Sequence, residues 1–204
     1  MPTDTGYDFS KLEKFMTAHK EDIHHEMGDN SYFVDPGIES IKSRIKAGDK
    51  VLDVGCGHGY AMKEFSKLGV EPIGITLDPN DIEKGQRDGR DVRFMDMSFL
   101  EFPDKTFDIV WARQCVEHSL IPFLTLTEFN RVLKPGGLIY MEVPSPNTTN
   151  NHELDPNHYS VFGEKMWFIL LRRAMFEAVD LYMIDFESLV GPDTYFRFIG
   201  KKFE

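Results

Sequence analysis

The sequence predicts an α/β fold: a doubly wound sheet of seven strands, mostly parallel with an antiparallel last strand, preceded by N-terminal helices. Two observations carry this expectation. From Lys50 onward short apolar runs alternate with amphipathic segments, the pattern of strand–helix–strand units packed into a parallel sheet. The first of these runs ends in a cluster of glycines from which a helix starts, the arrangement found where an open α/β sheet binds a ligand.

Ahead of the sheet, Phe9, Leu12, Phe15, Met16, Ile23 and Met27 recur near a ~3.6-residue period, so residues 9–27 read as an amphipathic helix. Asp35-Pro36 reads as N-cap and first position of a second helix, whose face is Ile38, Ile41 and Ile45 and which stops before Gly48. Lys50–Val54 is the first strand, and the helix after the glycines runs to about Lys67, closed by Gly69. Glu71–Leu77 is the second strand and Pro79–Arg87 a helix capped by Asp78. Val92–Met95 and Phe107–Ala112 are the third and fourth strands. Pro122–Leu133 is a helix, 134–137 a turn and Leu138–Val143 the fifth strand. Residues 144–160 form a polar loop dense in Pro and Asn, and Phe162–Phe176 a helix with an apolar centre. Strands over about 178–186 and 195–203 are close in sequence, so they are expected to pair antiparallel at the sheet edge.

The 204 residues carry 23 Lys and Arg against 34 Asp and Glu, a net charge of −11 that disfavours unspecific binding to nucleic acid or to an anionic membrane. Two cysteines make no disulfide framework. The first residues have neither a basic nor an apolar leader segment, and the longest apolar run, Trp167–Leu171, is far short of the ~20 residues that span a bilayer. These features predict a single-domain cytoplasmic protein without a membrane span.

The segment VLDVGCGHGY carries the most chemical information. Gly55, Gly57 and Gly59 let the backbone turn sharply and approach a ligand that a Cβ would exclude. Dinucleotide enzymes space their glycines G-x-G-x-x-G and set a pyrophosphate on the helix. Here the spacing is G-x-G-x-G with Asp53 ahead of it, and an acid beside the loop repels a pyrophosphate but suits an ammonium group.

D-x-G-x-G-x-G resembles the first motif of the class I S-adenosyl-L-methionine (SAM) dependent methyltransferases, a Rossmann-like family, and in particular its "type 11"-like small-molecule branch. Phe94-Met95-Asp96-Met97, Phe107-Asp108-Ile109-Val110, Glu117-His118 and EFNRVLKPGGLIYMEV (128–143) are similar to later family segments, in the same order. The likeness extends over roughly 45–203, through His158-Tyr159 and the following helix, although Met175 stands where a glycine is usual.

The resemblance implies SAM as cofactor, with S-adenosyl-L-homocysteine as product. It implies a binding site made of Asp53, Gly55, Cys56, Gly57, Gly59 and Tyr60 at the loop, Thr76, Leu77 and Asp78 at the ribose, Asp96 and Met97 at the adenine, and Arg113 and Gln114 after the fourth strand. Thr76 departs from the family, which usually has an acid there to grip both ribose hydroxyls. Asp78 either reaches the ribose or caps its helix, with the cap preferred.

On the acceptor side His118 is the candidate catalytic residue, as base or as orienter of a hydroxyl. Tyr32, Phe33, His152, His158 and Tyr159 are candidate substrate contacts. His152, Glu153, Asp155 and His158 are ligand types, but H-E-x-D-x-x-H matches no metal motif, so no metal is expected. His24 and His25 read as a solvated helix face. Cys56 reads as a loop residue lending its backbone, and Cys115 as core.

The segment WARQCVEH lacks the N/D-P-P-Y/F pattern of amino-group methylation on bases, and no Pro-Cys nucleophile of cytosine methylation occurs. The expected function is methyl transfer to O or N of a small-molecule acceptor. Residues 1–47 would be a helical cap, 48–143 the SAM-binding core, and 144–204 the substrate loop, helix and last two strands of one domain. The alternatives are a non-catalytic SAM-binding sensor or interaction protein and an NAD-dependent oxidoreductase.

Overall fold

The computed structural model describes residues 31–203, together with positions 10 and 14. The helix expected over 9–27, and His24 and His25, lie essentially outside the described residues. Five α-helices are described: α1 (Ser31–Ile41), α2 (Tyr60–Ser66), α3 (Pro79–Arg87), α4 (Pro122–Val132) and α5 (Glu164–Arg173). The strands are β1 (Lys50–Val54), β2 (Glu71–Thr76), β3 (Val92–Phe94), β4 (Phe107–Arg113), β5 (Leu133–Pro144), β6 (Phe176–Ser188) and β7 (Gly191–Lys202).

They form one seven-stranded sheet in the order β3-β2-β1-β4-β5-β7-β6. β1 to β5 are parallel, and β7 runs antiparallel to both neighbours, β5 and β6. The doubly wound, mostly parallel sheet with an antiparallel last strand is therefore the observed architecture.

Alternation along the central strands separates two cores, because successive side chains of a strand face opposite ways. Val51, Ile109, Trp111 and Tyr140 face α1 and α2, where Val34, Ile38, Ile41, Ala61 and Phe65 cover them. Leu52, Val54, Val110, Ala112, Ile139 and Met141 face the other way, under Leu126 and Phe129 of α4 and Trp167 and Leu171 of α5. Trp111 stacks on Tyr140 with ring centroids 3.9 Å apart. α1 approaches this pair so closely that a Cβ on Gly37 would lie 2.6 Å from the Tyr140 hydroxyl and 2.7 Å from the Trp111 ring.

Three boundaries differ from expectation. The described part of helix α1 already runs from Ser31, so Asp35-Pro36 lies inside it and is not its start. Pro36 removes one intrahelical bond, to a carbonyl one turn earlier, which a helix packed by Val34, Ile38 and Ile41 tolerates. The 134–137 turn is enclosed within β5: Leu133 pairs with Phe107 and the ladder resumes at Leu138 with Ile109, so 134–137 bulge out between them. α5 spans only Glu164–Arg173, and β6 begins at Phe176.

Met175 ends that helix with φ at +65°, the left-handed conformation that favours glycine. The family's usual glycine thus has a backbone reason, and this chain holds a side chain there against it. That side chain is 56% exposed and contributes little packing. Met175→Gly is expected to stabilise the protein by about 1 kcal/mol, the left-handed strain relieved less the extra freedom glycine gives the unfolded chain. Urea unfolding at a fixed pH checks it; a lowered midpoint would mean that the side chain packs more than its exposure implies.

Candidate active site

The carboxyl ends of β1, β2 and β4 converge on the glycine loop. Gly55, Gly57 and Gly59 have φ values of +64°, +54° and +88°, so each conformation is one that L side chains resist. Gly55 backs onto Cys115, whose Cβ lies 2.7 Å from the place a Gly55 Cβ would take. Gly57 differs: the nearest atom to its virtual Cβ is the Asp81 carboxylate at 3.7 Å, so the loop is open there. The Cys56 amide donates to the Ile75 carbonyl at 3.0 Å, tying the loop to β2. Burial and nearby carboxylates push the Cys56 thiol well up, which disfavours a nucleophilic thiolate.

Two groups at this edge lack partners. The Oδ2 of Asp53, a residue only 3% exposed, has no hydrogen bond, and neither has the buried Nε2 of Gln114. Gln114 follows β4 directly, with a positive φ of +53°. An unsatisfied buried polar atom is costly, so a buried acceptor and a buried donor on neighbouring strand ends signal a ligand with the complementary pair. Burial raises the Asp53 carboxyl to about 8, against the opposing pull of the Arg113 guanidinium.

Arg113 is committed elsewhere. Its Nε donates to Glu142 Oε1 at 3.1 Å, while Arg197 Nε and the Tyr140 hydroxyl donate to Glu142 Oε2 at 3.0 and 2.7 Å. One buried carboxylate thus joins two guanidinium groups from β4 and β7. No motif marks this network, although a Glu inside the apolar run LIYMEV is a signal that a charge there must be paired.

The expected ribose and adenine residues lie after β2 and β3. Asp78 caps α3, its Oδ1 accepting from the Asn80 amide at 2.7 Å, and the Thr76 hydroxyl accepts from the Asp78 amide at 3.2 Å. The preferred cap role is the one observed. Asp96 organises its own turn, with Oδ1 accepting from the Ser98 amide at 2.7 Å, and Met97 packs at the edge of the core. The Tyr60 hydroxyl donates to Asp35 Oδ1 at 3.3 Å, linking the loop to α1. Tyr32 and Phe33 lie on the α1 backbone, and their side chains are outside the described residues.

Beyond Gln114, Glu117 and His118 form a short turn after β4, both buried. The 144–160 loop folds back over it: the Tyr159 and Ser160 amides donate to the Glu117 carbonyl, each at 2.9 Å. His118 Nδ1 meets the Asn157 carbonyl at 2.8 Å, and the His118 and His158 rings touch edge to face at 4.8 Å. His152 Nε2 pairs with Asp193 Oδ2 at 2.9 Å, which pins the loop to β7. The structure therefore brings His118, His152 and His158 together, while Tyr159 is 39% exposed at the margin. It also adds Glu117, whose carboxyl is pushed up to about 8 chiefly by burial and whose Oε2 has no hydrogen bond.

A Rossmann-like sheet with an acid-preceded glycine loop and an unsatisfied donor–acceptor pair at its carboxyl edge defines a methyltransferase-type cofactor domain. Residues 52–141 match the family described as "Methyltransferase domain", and the chain is similar to the class I SAM-dependent methyltransferases. The 27-O-demethylrifamycin SV methyltransferase of Amycolatopsis mediterranei is 30% identical over 146 residues, 62% of this chain and 54% of the relative. The sterol 24-C-methyltransferase of Yarrowia lipolytica is 33% identical over 133 residues, 60% of this chain and 34% of the relative. The chain thus spans about half the length of the curated relatives it matches, or less. A SAM-dependent methyltransferase from Archaeoglobus fulgidus shares the fold, with a TM-score of 0.72 at 21% identity over 96% of this chain and all of that one.

Proposed function

We propose that this protein transfers a methyl group from SAM to O or N of a small-molecule acceptor, releasing S-adenosyl-L-homocysteine. The observation that carries the reading is the unpartnered pair Asp53 Oδ2 and Gln114 Nε2 beside the open face at Gly57. An amino acid tail offers an ammonium group to the first and a carboxylate to the second. When bound, SAM supplies a methyl on a positively charged sulfur, already a good leaving group.

This chain's residues then have to hold and align. Gly55, Cys56, Gly57, Gly59 and Tyr60 form the loop against the cofactor; Thr76, Leu77 and Asp78 take the ribose side, and Asp96 and Met97 the adenine. Arg113 adds positive charge near Asp53 without leaving Glu142. His118, oriented through Asn157, engages the acceptor from the other side, with His152, His158 and Tyr159 shaping its pocket alongside Tyr32 and Phe33. Alignment of this kind is worth ~7–11 kcal/mol of barrier, so no further catalytic group is required.

The chain is read as one domain: a helical cap over 1–47, a cofactor core over 48–143, and acceptor-side elements over 144–204. No described helix is long and apolar enough to cross a membrane. A net charge of −11 supports a cytoplasmic role on small molecules rather than on nucleic acid. The sterol relative favours carbon as a second acceptor atom, so sterols belong in the acceptor screen beside hydroxyl and amine compounds.

Calorimetric titration with S-adenosyl-L-homocysteine, SAM and NADH tests the cofactor. Binding of the two adenosyl ligands alone supports the reading; binding of NADH alone would favour an oxidoreductase; adenosyl binding without turnover over a broad acceptor panel would favour a sensor. The same titration reads Asp53. A carboxyl with its pKa at about 8 is protonated in the free protein at pH 7, and a ligand ammonium beside it favours the ionised form. Binding at pH 7 is therefore expected to release about one proton, seen as an enthalpy that changes with the buffer's ionisation heat, and to strengthen as pH rises towards 8. In Asp53→Asn the buffer dependence should vanish; if it persists there, another group carries the proton.

The same shift has a sign for folding. The folded state keeps this proton up to about pH 8 while the unfolded chain loses it near 3.8, so this group's contribution to stability falls as pH rises between those values.

A further inference from the structure

The three side chains Glu117, His118 and His158 come from two segments, the turn after β4 and the 144–160 loop, and each presents one ligand atom within 4.8 Å of the others. No sequence spacing reveals this: the ligand-type residues of the loop alone, His152, Glu153, Asp155 and His158, match no metal motif and led to the expectation of no metal. We propose that Glu117, His118 and His158 form a binding site for one divalent first-row transition ion, such as Zn²⁺, Co²⁺ or Mn²⁺.

Three features of the site support it. The Glu117 side chain is 1% exposed and its Oε2 has no hydrogen bond, so a carboxylate oxygen is buried beside the imidazoles without a donor. The two histidines are oriented as metal ligands are. His118 Nδ1 lies 2.8 Å from the Asn157 carbonyl and His158 Nδ1 lies 2.9 Å from the His152 carbonyl. A carbonyl can only accept, so each Nδ1 carries the proton and each Nε2 is the basic nitrogen. Finally, two imidazoles and one carboxylate are the donor set that zinc, cobalt, manganese and non-haem iron share, and three protein ligands leave coordination positions open.

The ligand atoms are more widely spread than a metal would hold them. Nitrogen and oxygen ligands at ~2.1 Å from one ion sit about 3.4 Å apart in a tetrahedral arrangement, so the group has to contract by about an ångström. The His158 Nε2 also lies 4.0 Å from Asp155 Oδ2, which puts a second carboxylate near the same nitrogen. With an ion bound, His118 is a ligand and not a free base, and the open positions on the ion are where an oxygen of a small molecule would bind.

The site is testable without any methyl acceptor. The full chain, stripped with a chelator, is titrated with Co²⁺ while visible d–d absorption and bound metal per chain are followed. One Co²⁺ per chain, displaced by Zn²⁺, is expected. Glu117→Gln and His158→Gln should each weaken binding at least about tenfold, since even outer-sphere partners of metal ligands cost that much. His58→Gln, which removes a histidine on the glycine loop outside this group, should leave the affinity unchanged. If Glu117→Gln does not fold, His158→Gln carries the same comparison from the loop. Sub-stoichiometric binding, binding that survives both ligand substitutions, or equal loss in His58→Gln would each overturn the proposal. Titration of the metal-free protein with S-adenosyl-L-homocysteine keeps the two readings apart: cofactor binding without metal binding overturns only this one.

Discussion

Glu142→Ala is expected to destabilise the fold by about 3–5 kcal/mol, because it leaves the buried guanidinium groups of Arg113 and Arg197 without their carboxylate. Both arginines are 8% exposed, so water does not replace the lost partner at low cost. The Tyr140 hydroxyl loses its acceptor in the same substitution. Replacing all three charges together, with Glu142→Leu, Arg113→Met and Arg197→Met, should recover most of that loss, since a buried ion network and an apolar cluster of similar volume are often close in energy. Denaturant unfolding of the single and triple variants gives the comparison. A single-variant cost below about 1 kcal/mol would show that the arginines find other partners.

Gly57→Val is expected to weaken binding of S-adenosyl-L-homocysteine roughly a hundredfold or more, equivalent to about 3 kcal/mol. The side chain would enter the open space before the loop, where the nearest protein atom to the new Cβ is the Asp81 carboxylate at 3.7 Å. A β-branched residue at φ +54° also strains the backbone by about 1–3 kcal/mol, so stability has to be measured separately from affinity. Calorimetry on a variant that still melts cooperatively separates the two. Unchanged affinity in such a variant would move the cofactor away from this loop.

The strands and the glycine loop were legible because their signals are local: apolar runs for β1, β2 and β4, and three glycines whose backbone angles all proved left-handed. Even Met175, read as an oddity against its family, proved to sit at the left-handed position that explains the family's glycine. What stayed hidden depends on pairing between distant segments. Glu142 meets Arg197 across 55 residues, and His152 meets Asp193 across 41. Neither partner has a spacing that marks it. Gly37 carries no local signal, because its constraint lies in the Trp111–Tyr140 stack on β4 and β5. Asp35-Pro36 misled for the opposite reason: a strong local start signal was overridden by packing of α1 onto the sheet.

The position of β7 between β5 and β6 sets an order of assembly. β6 is made first but pairs only with β7, through a hairpin closed between Ser188 and Gly191. β6 therefore cannot join the sheet until β7 has docked on β5. The same strand delivers Arg197 to Glu142 and Asp193 to His152, so the buried charge network and the loop anchor both require β7 in place. A half-folded chain has neither the counter-charge nor the loop anchor, and competence to bind becomes a check on completed folding.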